Sequence, residues 1–250
     1  MADKSKWVEG RVVALKQWTE RLFSVQVDAT LAPFQAGQFG KLALEINDEM
    51  VGRPYSFVNA PDERPLEFYF ITVPDGPLSN QLVVLKPGNP IWLAPKASGF
   101  LVLAEIPPGE NLWLISTGTA IGPFLAICKT EDPWKRFSKI VFVHAVRTVA
   151  ELTYQDQIKR IQEQHGDQFI YIPFVSREDT DFAIKGRVPE TIRDGRLEAR
   201  AGITLSAEKS QVMICGNPEM VSDTTNALLE RGLKKNRRKD PGNISVENYW

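Results

Sequence analysis

The sequence predicts a β unit followed by an α/β unit, and three observations carry that prediction. Through the first hundred residues, apolar and polar side chains alternate at period two between turn signals. Near Pro107-Pro108-Gly109 the pattern changes. Beyond it, short runs that are apolar on both faces alternate with stretches of helical periodicity.

Phe23, Val25 and Val27 alternate with polar residues; Phe39, Lys41 and Ala43 do so loosely; Leu66, Phe68 and Phe70 flank Glu67 and Tyr69. Period-two patterning marks half-buried strands. Turn chemistry separates them at Ala36-Gly37, Asn47-Asp48, Asn59-Ala60-Pro61-Asp62, Pro74-Asp75-Gly76-Pro77 and Pro87-Gly88-Asn89. Many short, evenly spaced strands suit a small barrel or a sandwich. One helix, over residues 78–85, is expected to interrupt them.

In the second unit, residues 112–115, 140–143, 169–172 and 212–214 are continuous apolar runs. Strands of a buried parallel sheet need both faces apolar. Helical stretches are expected at 124–129, 152–164 and 218–231, with Tyr154, Ile158 and Ile161 at helical spacing in the second. Gly232 stands where a helix-ending glycine belongs. This alternation gives an open doubly wound sheet, which binds its ligand at the carboxyl ends of its strands. The expected domains are residues 1–106 and 107–250. The stretches 178–185 and 200–209 receive no assignment.

Composition excludes several classes. Net charge is −1 at pH 7, so no global field selects nucleic acid or a membrane surface. No apolar run approaches the roughly 20 residues that span a bilayer. The opening Met1-Ala2-Asp3-Lys4-Ser5-Lys6 has no apolar stretch behind its charges, so no secretory signal is expected. Cys128 and Cys215 are the only cysteines, too few for a disulfide framework or a four-cysteine zinc or iron–sulfur site. His144 and His165 are likewise too few for a histidine metal site. The expectations are therefore a cytoplasmic protein without metal, with a monomer as the default assembly.

Several segments could carry chemistry. Gly118-Thr119-Ala120-Ile121-Gly122-Pro123 follows a buried strand and opens a helix. Its glycines admit a ligand to the backbone, and free N–H groups at the helix start attract a pyrophosphate. The spacing is not the usual dinucleotide fingerprint, and a plain strand-to-helix turn fits equally. Cys215-Gly216-Asn217-Pro218 holds the same place on the last apolar run. Cys215 there is also a fitting small buried hydrophobe, and no histidine is placed to activate it. Arg147 and Ser176-Arg177 follow two strands of one sheet, and Arg187 comes shortly after. Arginines converging on that edge suit a 2′-phosphate, whereas an NAD site would place a carboxylate. Glu178 and Asp179 stand beside them, and three solvated surface arginines remain the plain alternative.

In the β unit, Arg53 and Tyr55 share a face if their segment is a strand. Arginine pairs with phosphate, and tyrosine offers a flat ring with a polar tip. Ser56 faces the other way unless the strand bends or ends. The chain closes on Glu247-Asn248-Tyr249-Trp250. Chain ends are usually frayed and polar, so an aromatic pair there should pack on something. The dense basic run, residues 234–239, is a solvated loop or a docking site for an acidic partner. His144 reads as a satisfied core residue.

Together Arg53-x-Tyr55-Ser56, the 118–123 loop, Cys215-Gly216-Asn217-Pro218 and the terminal Tyr249-Trp250 resemble the bacterial ferredoxin (flavodoxin)–NADP reductases, the enterobacterial type above all. The resemblance covers the whole chain. It implies an antiparallel Greek-key β-barrel that binds FAD, then a doubly wound parallel-sheet NADP domain. It implies an oxidoreductase that exchanges hydride between NADP(H) and flavin, and single electrons with ferredoxin or flavodoxin. By resemblance Arg53 meets the FAD pyrophosphate, with Pro54 beside it. Tyr55 lies against the isoalloxazine and Ser56 near its N5. Tyr69, Phe70, Ile71 and Thr72 line the flavin; Pro77, Leu78 and Ser79 lie on its phosphate side; Thr119 touches it, as does Tyr249. Trp250 covers the face where nicotinamide must enter and acts as a gate. For NADP the resemblance implies Thr117, Gly118, Val146, Arg147, Ser176, Arg177 and Arg187, with Cys215 beside the reacting carbon and Gly216, Asn217, Pro218 and Glu219 lining the pocket. Ser56, Cys215, Glu247 and Trp250 are the implied catalytic set. An oxygenase reductase component is the nearest rival, but its fused iron–sulfur domain needs more cysteines than this chain has.

Overall fold

The computed structural model describes residues 3–249. Two six-stranded sheets follow one another along the chain. The first is antiparallel, with β1 (Val8–Gln17), β2 (Leu22–Asp28), β3 (Phe39–Ile46), β4 (Glu49–Ser56), β5 (Leu66–Ile71) and β6 (Pro90–Leu93) in the order β4-β3-β6-β1-β2-β5. The late strand β6 inserts between β3 and β1, which makes the connection a Greek key. The end strands also meet: Phe57 bridges Phe68, and the Val58 N–H donates to the Glu67 carbonyl at 2.9 Å. The sheet therefore curls into a barrel, and the sandwich alternative falls away.

Leu66, Phe68 and Phe70 enter the barrel core with Phe57, Leu42 and Leu93, as their spacing demands. The opposite face of β5 differs from expectation. Glu67 and Tyr69 are buried too, because the second unit lies on top of them. The helix expected at 78–85 is a single turn, Ser79–Leu82. Leu78 and Leu82 reach the core, and Val84 is already exposed, so one turn satisfies both apolar anchors.

The second sheet contains β7 (Asn111–Thr117), β8 (Lys139–Val146), β9 (Phe169–Val175), β10 (Ile184–Lys185), β11 (Ser210–Gly216) and β12 (Ile244–Asn248). Their order is β10-β9-β8-β7-β11-β12, and every ladder is parallel. Leu112 and Leu114 face helices Ile121–Cys128 and Gln155–His165. Trp113 and Ile115 face helices Val188–Arg193, Arg196–Ala201 and Pro218–Glu230. Strand order reverses between β7 and β11, which opens a crevice at their carboxyl ends. The short β10, the edge strand β12 and the two middle helices had no signal in the sequence reading.

One apolar cluster runs through both units. Leu22, Val58 and Tyr69 of the barrel pack with Leu112, Phe124 and Phe142. The barrel core proper centres on Phe57, which stacks on Phe34 at 4.0 Å and tilts over Phe68 at 4.9 Å. Replacing Phe57 by alanine is expected to destabilise the fold by about 3–5 kcal/mol. Urea unfolding measures it, and a loss under ~1 kcal/mol would show that the site collapses freely around the gap.

Candidate active site between barrel and sheet

The crevice has two lips. On one, β7 ends at Thr117 and the chain turns through Gly118 at φ +53° into helix Ile121–Cys128. Among the described residues, its own chain neighbours aside, no atom lies within 4 Å of where a Cβ on Gly118 would stand, so the backbone is open on that side. On the other, Gly216 has φ +151°, and a Cβ there would lie 2.1 Å from Thr117 Oγ1. Only glycine lets β11 approach β7 so closely. Asn217 caps helix Pro218–Glu230 by accepting from the N–H groups of Glu219 and Met220 at 2.9 and 3.3 Å. Its own N–H donates to Thr117 Oγ1 at 3.3 Å, which ties the two lips together.

Cys215 is buried at the end of β11, in register with Glu247 on β12. The Tyr249 N–H donates to the Gly216 carbonyl at 2.8 Å, which folds the end of the chain over this spot. The Tyr249 phenol meets Cys215 on the sheet side and Ser56 on the barrel side. Strand β4 ends at Ser56, which turns inward as the chain bends toward β5. The structure thus gathers Ser56, Cys215, Glu247 and Tyr249 in one gap between the units. Trp250 lies outside the described residues.

The gap is nearly free of charge. Burial, then the neighbouring Glu247 carboxylate, pushes the Cys215 thiol well above its usual range. Burial does the same to the Tyr249 phenol. Neither group ionises near neutral pH, so a thiolate nucleophile has no place here. Glu247 Oε1 is buried with no hydrogen-bond partner among the described residues, and burial raises its carboxyl to about 7. Ser56 Oγ is also buried without a well-formed hydrogen bond among them. His144 is in the core, as read, but not satisfied: neither ring nitrogen has a well-formed partner among the described residues. Burial lowers it to about 4, and the Gly118 backbone above it pulls the other way.

Beside the gap, Arg53 and Tyr55 share one face of β4. Arg53 is exposed and donates to the Gly52 carbonyl at 2.9 Å. Tyr55 is half-buried, edge-on to Phe70 at 5.8 Å, and burial lifts its phenol to about 12. Pro54 sits on an end strand, where its missing N–H costs no ladder bond. Ser79 Oγ accepts from the Val73 N–H at 3.0 Å and shapes the 73–79 loop, while Pro77 is exposed. Thr119 is buried within the turn that follows β7. Tyr69, Phe70 and Leu78 point into the core or the interface, so they can line a ligand only through their backbone. Ile71 follows at the end of β5, and both backbone groups of Thr72 are occupied by Arg21, at 2.9 and 3.0 Å.

Val146 closes β8 and Arg147 follows it, and Ser176-Arg177 follow β9. The Arg177 N–H donates to the Arg147 carbonyl at 2.8 Å, and Ser176 donates to Val146 through N–H and hydroxyl at 3.1 and 3.3 Å. These residues therefore stand side by side at the sheet edge. Arg147 and Arg177 are exposed, and neither guanidinium forms an ion pair among the described residues. Arg187 differs: it reaches Glu219 at 3.4 Å, across the crevice mouth. Gly99 was missed by the sequence reading. A Cβ there would crowd Glu247 Oε2 at 3.1 Å, and only a folded neighbour reveals that constraint.

The residues fit a flat heteroaromatic cofactor. Ser56 Oγ and Glu247 Oε1, buried without a well-formed hydrogen bond among the described residues, suit a ligand with polar ring atoms. The open space at Gly118 and the unpaired arginines suit phosphate groups. Among the described residues no group of acidic, cysteine or histidine side chains could hold a metal ion.

A barrel set against a doubly wound sheet, with such a site between them, defines a nucleotide-dependent oxidoreductase. The model of the oxidoreductase NAD-binding domain family matches residues 114–226. The chain is 45% identical over 251 residues to the flavodoxin/ferredoxin–NADP reductase of Escherichia coli strain K12, covering all of both chains. It is 36% identical over 249 residues to a ferredoxin–NADP reductase of Pseudomonas aeruginosa, covering 95% of each. The crystal structure of a ferredoxin NADP+ reductase from Neisseria gonorrhoeae with bound FAD and NADP superposes with a TM-score of 0.93 at 31% identity, covering 98% of this chain and 99% of that one. The chain belongs to the flavodoxin/ferredoxin–NADP reductase family.

Glu247 gives this site a pH signature. Its folded pKa is raised above the ordinary value of 4.5, to about 7, so the folded state holds a proton that the unfolded state has released. Stability therefore falls as pH rises through that window and levels off above it. Glu247→Gln is expected to remove this slope. Chemical denaturation on either side of the window checks it, and equal slopes in both proteins would refute it.

Proposed function

We propose that this protein binds FAD against the barrel and NADP(H) at the crevice of the sheet, and exchanges electrons with ferredoxin or flavodoxin. The observation that carries the reading is the meeting of Ser56, Cys215, Glu247 and Tyr249 between the two units. Bound flavin supplies the exchange between two-electron hydride chemistry and single-electron transfer. The protein's part is orientation. Tyr55 offers a flat face and Ser56 Oγ a hydrogen bond to a ring nitrogen, while Arg53 pairs with phosphate. Gly118 and Thr119 let a pyrophosphate approach the helix start. Cys215, held as a neutral thiol, packs beside the nicotinamide without offering it a competing charge. Among the described residues gathered there, Glu247 is the group able to hold or release a proton near neutrality.

Arg147, Ser176 and Arg177, with Arg187 nearby, form the proposed 2′-phosphate site. Trp250 is the proposed lid. The proposed division is 1–106 for FAD and 107–250 for NADP. The exposed cations of 234–239 would steer an acidic electron-transfer protein. Among the described residues no helix is long and apolar enough to cross a membrane, and a cytoplasmic monomer completes the reading.

Purified protein should be yellow and should be reduced by NADPH faster than by NADH in stopped flow. Colourless protein, or no preference, would overturn the reading. Replacing both Arg147 and Arg177 by alanine should weaken NADPH by about tenfold or more, at ~1.5–3 kcal/mol per lost charged hydrogen bond, and leave NADH unchanged. Deleting Trp250 should raise NADH use; unchanged NADH kinetics would reject the lid.

A further inference from the structure

Strand β5 has two occupations. Its inner face and its end at Phe70-Ile71 belong to the barrel and the proposed flavin wall. Its outer face, Glu67 and Tyr69, meets the nucleotide-binding unit through side-chain hydrogen bonds. The Tyr154 hydroxyl donates to Glu67 Oε1 at 2.6 Å, and the Thr153 hydroxyl donates to the Tyr69 hydroxyl oxygen at 2.9 Å. All four side chains are buried. Gln26 completes the Glu67 carboxylate at 3.3 Å, and Trp18 lies over the Tyr154 ring at 4.6 Å.

Tyr154 stands in the left-handed region, φ 59° and ψ 22°, immediately before helix Gln155–His165. A tyrosine has no intrinsic preference for that conformation, and it persists only where surrounding contacts over-determine it. Here those contacts are the Glu67 bond and the rings of Trp18 and Tyr69. A rigid turn of the sheet unit is thus fastened to a strand of the proposed flavin wall. Hydrogen bonds of defined length and angle add a directional constraint to the apolar packing that joins the two units.

We infer that Tyr154, with Thr153, is a positioning residue for hydride transfer: the two hydroxyl bonds to β5 fix the distance between the flavin wall of the barrel and the nicotinamide crevice of the sheet. This rests on the function proposed above. Neither residue touches the reacting atoms. A displacement of the order of an ångström at a hydride donor and acceptor is enough to cost rate without loss of binding.

Tyr154→Phe removes one hydroxyl and keeps the ring. It should retain FAD and bind NADPH normally. Its limiting rate of flavin reduction at saturating NADPH should fall about tenfold, with an enlarged deuterium isotope effect. Amide hydrogen exchange over residues 66–72, measured without nucleotide, should quicken. Glu67→Gln keeps an acceptor for the Tyr154 hydroxyl and should stay near wild type, whereas Glu67→Leu should behave as Tyr154→Phe does. Lys159→Ala, on the exposed face of the same helix, should change nothing. Thr153→Val is measured in parallel and decides the matter if Tyr154→Phe does not fold. An unchanged limiting rate and isotope effect in whichever variants fold overturns the inference alone. Wild-type protein that NADPH does not reduce overturns the underlying reading, and the inference with it.

Discussion

The seam between barrel and sheet is the constraint on which everything else depends. Val58 comes two residues after Ser56, and its carbonyl accepts from Lys129 Nζ at 3.1 Å. A Cβ on Gly122 would stand 3.4 Å from the Val58 side chain, so the first turn of helix Ile121–Cys128 rests directly on that residue. The phosphate-type loop at Gly118 and the hydroxyl at Ser56 belong to different units. They are nevertheless placed by one apolar contact at the root of both. Burying Val58, Leu22 and Tyr69 among Phe124, Phe142 and Leu112 supplies the driving force. Without it the two units would meet as ordinary mobile domains do.

Charge is partitioned around that seam. Inside the gap the ionisable groups are shifted toward neutrality: the thiol and phenol upward, the imidazole beneath Gly118 downward, and the carboxyl to about 7. One cause, burial, leads in all four. Permanent charge stays on the rim, where Arg53, Arg147 and Arg177 are exposed. Such a layout suits flat ring systems that pack in a gap while their phosphates remain solvated. It also explains why no nucleophile or strong base is needed: redox chemistry between two rings asks the protein for distance and dielectric.

Much of this was legible in the chain. Period-two alternation found β2 and β5, and the doubly apolar runs found β7, β8, β9 and β11, because those patterns follow from local geometry alone. Glycines and prolines marked both lips of the crevice for the same reason. The doubly buried face of β5 was not legible, since Glu67 and Tyr69 look solvent-facing until a second unit covers them. Strand β10 is two residues long, too short to carry a period. Strand β12 was hidden because Ile244–Asn248 alternates only half-buried at a sheet edge. Arg187 was grouped with Arg147 and Arg177 by sequence proximity, but its ion pair with Glu219 depends on where helix Pro218–Glu230 begins. Long-range packing hid the outer face of β5 and the Arg187 ion pair, and short or shallow local patterns hid β10 and β12.

The glycines show how close approach is turned into a site. At Gly216 a Cβ would overlap Thr117, and at Gly99 it would press on Glu247 and on Phe39 at 3.1 Å. The first absence lets the two central strands of the crevice converge at their carboxyl ends. The second lets the Glu247 carboxyl be enclosed rather than pushed out to water, and enclosure is what raises its pKa. A larger residue at Gly99 would push its neighbours back by a few tenths of an ångström, and one at Gly216 would collide with Thr117. Flat rings in contact tolerate little such displacement, because dispersion falls steeply over half an ångström to an ångström. The proton affinity of Glu247 and the tightness of the gap therefore have one origin, the omission of two side-chain carbons on opposite sides of it.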